Sequence, residues 1–177
     1  KTEKDAMAKA EMQKSLDEAN ENIIKQQSDA FHYCNLALKL ADAESDLTTL
    51  NLIRYLLCFL HYQEKNYYDS IVIGDFLARR YPDSQGARPC AKIAMASYLQ
   101  LYAENQTDDK SFESQKIIEI CDYITRQWPD QPEAAEALNT LIPFMIREKK
   151  LQEAQDYLAK IPADSPQIMN TGSIRAE

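Results

Sequence analysis

Cys58 and His61 stand three residues apart, which puts both on one face of a helix. A thiolate and an imidazole at that spacing could supply two soft ligands to a metal. A complete site needs further groups converging on them, and the chain holds only two histidines. The plainer expectation is that both side chains pack in a core. His32 lies two residues from Cys34, so the two point in different directions, and His32 is expected at the surface. The four cysteines, Cys34, Cys58, Cys90 and Cys121, are spaced 24, 32 and 31 residues apart with no C-x-x-C pair. That spacing lacks the signature of a zinc knuckle or a thioredoxin-type redox motif. Each falls within an apolar helical pattern, where a free thiol behaves as a small hydrophobe. Glu133 and Glu136 share a helix face, and they are expected to complement the positive end of a helix rather than exchange protons. No catalytic residue, metal site or cofactor is expected.

The elements that carry these residues read as helices almost throughout. Leu16, Ala19, Ile23, Gln27, Ala30, Cys34, Ala37 and Ala41 step by three or four, as do Leu50, Ile53, Leu57, Leu60 and His61. Ile117, Cys121 and Ile124 do the same, and no period-two run competes. Three glycines in 177 residues leave little material for phosphate-cradling loops or for the turns of a β-sandwich. The stretches are punctuated by Tyr81-Pro82-Asp83-Ser84, Trp128-Pro129-Asp130-Gln131 and Ile161-Pro162-Ala163-Asp164. Proline cannot continue the helix behind it, and Asp or Ser after it can cap the next. The prolines are 47 and 33 residues apart, and the longer interval holds the polar insert Asn105–Ser114. Without about 13 residues there, both intervals approach the 34 of a two-helix repeat.

In two of the repeats a small residue stands near the start of the second helix: Ser70 after Asn66-Tyr67-Tyr68-Asp69, and Ala154 after Leu151-Gln152-Glu153. On these residues the chain resembles the tetratricopeptide repeat (TPR) family over about 28–162. The strings Tyr81-Pro82-Asp83-Ser84-Gln85-Gly86-Ala87 and Trp128-Pro129-Asp130-Gln131-Pro132-Glu133-Ala134 are similar to repeats of bacterial envelope proteins of this family, such as outer-membrane assembly lipoproteins and the Tol–Pal coordination protein. The pattern departs from the family where Cys58, Met95 and Ile142 replace a glycine and where Pro143 sits inside a first helix, which it is expected to kink.

The resemblance implies an all-α fold, a right-handed α-α superhelix of about eight helices in antiparallel pairs. The expected helices are 3–26, 28–43, 46–64, 67–80, 85–104, 112–127, 131–147 and 150–160. They form one domain over 1–162 (hairpins 3–43, 46–81, 85–128 and 131–161), with 163–177 an irregular tail or the start of a truncated repeat. It also implies that first helices line a partner-binding groove. The groove residues would be Leu52, Tyr55, Phe59, Tyr62 and Gln63, then Lys92, Ala96, Leu99 and Gln100, then Asn139, Ile146 and Arg147. Tyr55, Phe59 and Tyr62 form an aromatic stripe that either meets a partner or packs on the next repeat. Lys92 and Arg147 alone do not make the basic clamp that some members of the family close on a peptide carboxylate.

Charge narrows the partner. The net charge is −8, with residues 46–104 neutral and 105–177 carrying 8 basic and 13 acidic side chains. No segment can neutralise a row of phosphates, so nucleic acid and anionic membrane are not expected partners, nor is direct membrane insertion. The charged run Glu11–Glu21 reads as a solvated helix face or as a contact with another chain, self-association included. The chain starts at Lys1 rather than Met, which reads as a fragment. The resemblance implies the bacterial periplasm or envelope, with the cytoplasm as the other compartment. The expected function is non-catalytic: a scaffold that binds a protein or peptide partner. The alternative is a structural segment of a longer solenoid without its own groove, and a third reading is an enzyme at Cys58 and His61.

Overall fold

The computed structural model describes residues 2–159. Among them lie seven α-helices and no strand: α1 (Thr2–Leu40), α2 (Leu47–Gln63), α3 (Tyr67–Arg80), α4 (Ala87–Glu104), α5 (Ser111–Gln127), α6 (Pro132–Arg147) and α7 (Leu151–Leu158). Among the described residues, no helix is long and apolar enough to cross a membrane. The expected tail at 163–177 and the closing Pro162 lie outside the described residues.

The helix ends follow from local chemistry. Asp46 caps α2, its carboxylate accepting the Thr49 N–H at 2.8 Å and the Thr49 hydroxyl at 2.7 Å. Two kinds of turn then each occur twice. In the first, Lys65 adopts φ 60°, and Asn66 N–H reaches back to the His61 carbonyl at 2.8 Å while Lys65 N–H bonds Tyr62 at 3.0 Å. In its copy, Lys149 has φ 61°, Lys150 N–H bonds Met145 at 2.8 Å and Lys149 N–H bonds Ile146 at 3.0 Å. This left-handed cap satisfies the last carbonyls of α2 and α6 and turns the chain within three residues. In the second kind, Tyr81 and Trp128 end α3 and α5 with nearly the same backbone angles, φ −134°, ψ 57° and φ −134°, ψ 58°. Each is followed by a proline and by two turn bonds of the same order, Ser84 to Tyr81 and Ala87 to Ser84, then Gln131 to Trp128 and Ala134 to Gln131.

Each helix packs on its successor, and the alternate helices α2, α4 and α6 touch as well. The main core runs through α3, α4, α5 and α6, with Ala91, Ile117, Ile120, Cys121, Ile124, Leu141 and Met145 fully enclosed. A smaller cluster of Cys58, Leu77 and Cys90 joins α2 to α3 and α4. Ser70 and Ala154 are buried, as small residues near a helix crossing should be. Pro143 faces solvent and α6 runs on through it, although its ring removes the N–H that the Asn139 carbonyl would accept.

The N-terminus departs from the expectation. In place of two helices, 3–26 and 28–43, one helix runs unbroken from Thr2 to Leu40. Its Gln26-Gln27-Ser28 region has no proline, glycine or cap to divide it, so the hairpin expected over 3–43 is absent. That leaves seven described helices rather than about eight. The polar loop between α4 and α5 covers 105–110, and α5 starts at Ser111, one residue before the expected 112. Asn105 accepts the N–H and hydroxyl of Thr107 at 2.8 and 2.7 Å, closing a compact turn.

Truncation on α3 checks this packing. Leu77→Ala, in the fully buried junction of α2, α3 and α4, should cost about 2–5 kcal/mol of unfolding free energy in urea titration. Val72→Ala, on the exposed face of the same helix, should stay within about 0.5 kcal/mol of the parent.

Candidate functional site

Cys58 and His61 share a face of α2 but are claimed by different neighbours. The Cys58 thiol donates to the Ser70 carbonyl of α3 at 3.3 Å. The His61 ring meets Phe31 of α1 edge to face at 5.0 Å, and its Nδ1 stands 3.9 Å from an Asp69 carboxylate oxygen, beyond hydrogen-bond reach. Among the described residues no three His, Cys, Asp or Glu gather as a metal-holding group. His32 is exposed, as expected, against Tyr33. Hydrogen bonding with Cys58, then burial, pushes the Cys90 thiol far up, and burial with help from Asp122 pushes Cys121 up to about 12. Cys90 and Cys121, held protonated in this way, are poor nucleophiles, whereas the hydrogen bond with Cys90 pulls the Cys58 thiol down against the opposing effect of burial.

Glu133 stands in the first turn of α6, where it complements the positive helix end, and both glutamates also reach α4. Glu133 accepts from Arg88 at 3.4 Å and Glu136 from Lys92 at 2.6 Å, so both tie α6 to α4. Arg88 also bonds Gln131 at the start of α6. Lys92 is therefore spent on an inter-helix pair. Arg147 lies 5.0 Å from the ring centres of Tyr102 and Phe144, a cation–π contact that occupies it as well.

The other expected groove positions divide by exposure. On α2, Phe59 is 42% exposed and Leu52 49%, and Gln63 is exposed beyond them. Leu56, which sequence reasoning did not single out, is 41% exposed and completes a stripe at 52, 56, 59 and 63. Tyr55 and Tyr62 turn inward. Tyr55 packs on the Cys58–Leu77–Cys90 cluster beside Gly86, and Tyr62 stacks on Tyr67 at 5.9 Å between ring centres. Gln100 on α4 is exposed, while Ala96, Leu99, Asn139 and Ile146 are half-buried. Asn139 keeps a buried side-chain oxygen with no hydrogen-bond partner.

A second concavity was not anticipated. A cleft of about 320 Å³ opens between α3 and α5 with Tyr98 of α4 among its lining residues. Its charged rim is made of pairs within single helices: Asp75 with Arg79 at 2.9 Å, Lys116 with Glu119 at 2.7 Å, and Asp122 with Arg126. Arg79 also lies 4.5 Å from the centre of the Tyr123 ring, and Tyr157 donates to Asp122 at 2.7 Å. Burial, with Asp75 nearby, raises the Tyr98 phenol, so it stays neutral. Three cations balanced by three anions, each already paired, leave no group poised as acid, base or nucleophile. The i,i+3 and i,i+4 pairs were visible in the sequence; that two helices bring them together was not.

The class is that of an all-α protein whose short helices pack in chain order. Compared with models of protein families, with curated proteins and with solved structures, the chain matches none.

Thiol chemistry checks the burial. All four cysteines are free in this structure, and Cys34 alone of the four is not fully enclosed. In the native protein a thiol-specific chromophoric reagent should therefore label Cys34 rapidly. Cys58, Cys90 and Cys121 should react only after denaturant is added, bringing the total to four. Rapid native labelling of more than one thiol would contradict the packing of α2 against α3 and α4.

Proposed function

We propose that the chain is a non-catalytic protein-interaction scaffold of the tetratricopeptide type, and that a peptide or protein partner binds along α2. The observation that carries this reading is the stripe Leu52, Leu56, Phe59 and Gln63, three large apolar groups held open on one rigid helix beside α4. A row of apolar groups at helical spacing can receive the apolar face of a partner helix. The duplicated turns support the repeat architecture. Residues 64–66 and 148–150 share one cap geometry, and the closings at Tyr81 and Trp128 share another. A right-handed stack of antiparallel pairs is the arrangement this reading assigns to them, and a bacterial envelope location rests on the resemblance alone. With Lys92 paired to Glu136 and Arg147 laid over aromatic rings, the partner is recognised by apolar side chains rather than by its carboxylate.

One variant measured twice tests the reading. Phe59→Ala should leave the melting temperature within a degree or two, because the ring is not enclosed. Immobilised parent protein should capture a partner that Phe59→Ala holds more weakly by about 2 kcal/mol, the loss of one aromatic anchor. Equal capture by the two proteins would remove the stripe from the binding surface. A loss of several kcal/mol in folding stability would instead make Phe59 a core residue.

A further inference from the structure

Two of the enclosed thiols meet in one cluster although they belong to different helices. Cys58 of α2 and Cys90 of α4 pack with Leu77 where α2, α3 and α4 join, and neither has any exposed surface. In sequence they are 32 residues apart, with the whole of α3 between them. Gly74 of α3 lets them approach. A methyl group there would stand 3.2 Å from the Cys58 sulfur and 2.8 Å from the Cys90 carbonyl, so position 74 puts no side chain beside the pair. The two thiols hydrogen-bond to each other. From that contact a small closure of the α2–α4 spacing brings two sulfurs to a disulfide length of about 2.05 Å.

The pair is chemically unequal. Cys58 Sγ donates to the Ser70 carbonyl at 3.3 Å and lies 3.8 Å from the Ser70 hydroxyl. Once Cys58 ionises, the Cys90 S–H and the Ser70 O–H both remain to donate to its sulfur. Those bonds favour the Cys58 thiolate against the opposing effect of burial, whereas Cys90 keeps its proton. A thiolate that accepts from a second thiol has its resolving group already beside it. The other two cysteines lack this arrangement. Cys121 lies in the main core with Ile117, Ile120 and Ile124, and Cys34 sits on α1.

We propose that Cys58 and Cys90 form an oxidation site, which hydrogen peroxide closes into a disulfide that fastens α2 to α4. In the first step the Cys58 thiolate attacks one peroxide oxygen. The O–O bond breaks, Cys58 becomes a sulfenic acid, and the departing hydroxide takes the proton that Cys58 lost. In the second step the Cys90 sulfur attacks the Cys58 sulfur. The S–O bond breaks as the S–S bond forms, and the Cys90 proton leaves with the hydroxide. Two thiols and one hydrogen peroxide thus become one disulfide and two waters. Peroxide is little larger than water, so it enters a junction that excludes bulky thiol reagents until α2 parts from its neighbours. The bond would pin the helix that carries the exposed stripe, but the inference is independent of that stripe.

Peroxide treatment of the whole chain tests it, in a Cys34→Ser background that removes the one partly exposed thiol. Dilute hydrogen peroxide is added to the native protein and quenched with catalase, and thiols are counted in denaturant without reductant. The count should fall from three to one, and reductant should restore it. Tryptic digestion should yield peptide 55–65 joined to peptide 81–92, with Cys121 free in peptide 117–126. Near-ultraviolet circular dichroism should keep its native form, since the bond closes within the folded junction. Adding Cys90→Ser should abolish the joined peptides and leave a Cys58 sulfenic acid that dimedone tags. A count that stays at three overturns the inference. So does a link through Cys121, or a bond that forms only as the native dichroism is lost. A Cys58 that dimedone leaves untagged in the Cys90→Ser chain overturns its assignment as the attacking thiol.

Discussion

The structure depends on how closely α3 approaches α4 and α2 at Gly74. A methyl group placed there would come within 2.8 Å of the Cys90 carbonyl and 3.2 Å of both the Ala94 Cβ and the Cys58 Sγ. Three helices therefore meet at one point with no room for a side chain. Small residues crowd the junction: Ser70, Ala78, Cys58, Cys90, Ala91, Ala94 and Ser97 are all fully enclosed. Their polar atoms serve one another: Ser97 donates to the Ile93 carbonyl at 2.9 Å, its hydroxyl and that of Ser70 lie at hydrogen-bond distance, 3.2 Å, and Cys58 donates to the Ser70 carbonyl. Satisfied in this way, they carry little desolvation cost. Close backbone approach replaces large side chains as the source of dispersion contacts.

From that junction the core extends from helix to helix in chain order. No single helix pair here is thick enough to enclose its own apolar face, so each relies on the next, and stability accumulates through neighbours. The main core moves outward from Ile71 and Ala91 through Ile120 and Ile124 to Leu141 and Met145. Ties between non-consecutive helices set the spacing, Lys92 to Glu136 across α4 and α6, and Tyr123 to the Ala78 carbonyl at 2.6 Å across α3 and α5. Among the described residues, the packing leaves apolar groups uncovered on α2 and along the first half of α1.

Much of this was legible because punctuation was strong. Asn66 before α3 and Pro82 after Tyr81 bound a helix expected at 67–80 and found at Tyr67–Arg80. The break expected near residue 27 had only periodicity behind it, and periodicity alone cannot divide a helix that lacks a breaker. On α2 the aromatic stripe was assigned to one surface by spacing, but helical geometry splits it. At about 100° per residue, Tyr55 and Tyr62 both lie some 40–60° to one side of Phe59, toward the body. Leu52, Leu56 and Gln63 lie to the other side, toward solvent. The inter-helix pairs Arg88–Glu133 and Lys92–Glu136, and the cleft over Tyr98, depend on which helices become neighbours, and a single sequence does not state that.

The central claim is the close approach at Gly74, and the unfolding free energy of Gly74→Ala tests it most directly. An exposed helical glycine replaced by alanine gains roughly 0.5–1 kcal/mol, because alanine is the better helix former. Here the Cys90 carbonyl is backbone and cannot swing away, so overpacking should outweigh that gain. The account predicts a net loss on the order of 1–2 kcal/mol in urea titration. A variant as stable as the parent, or more stable, would contradict it.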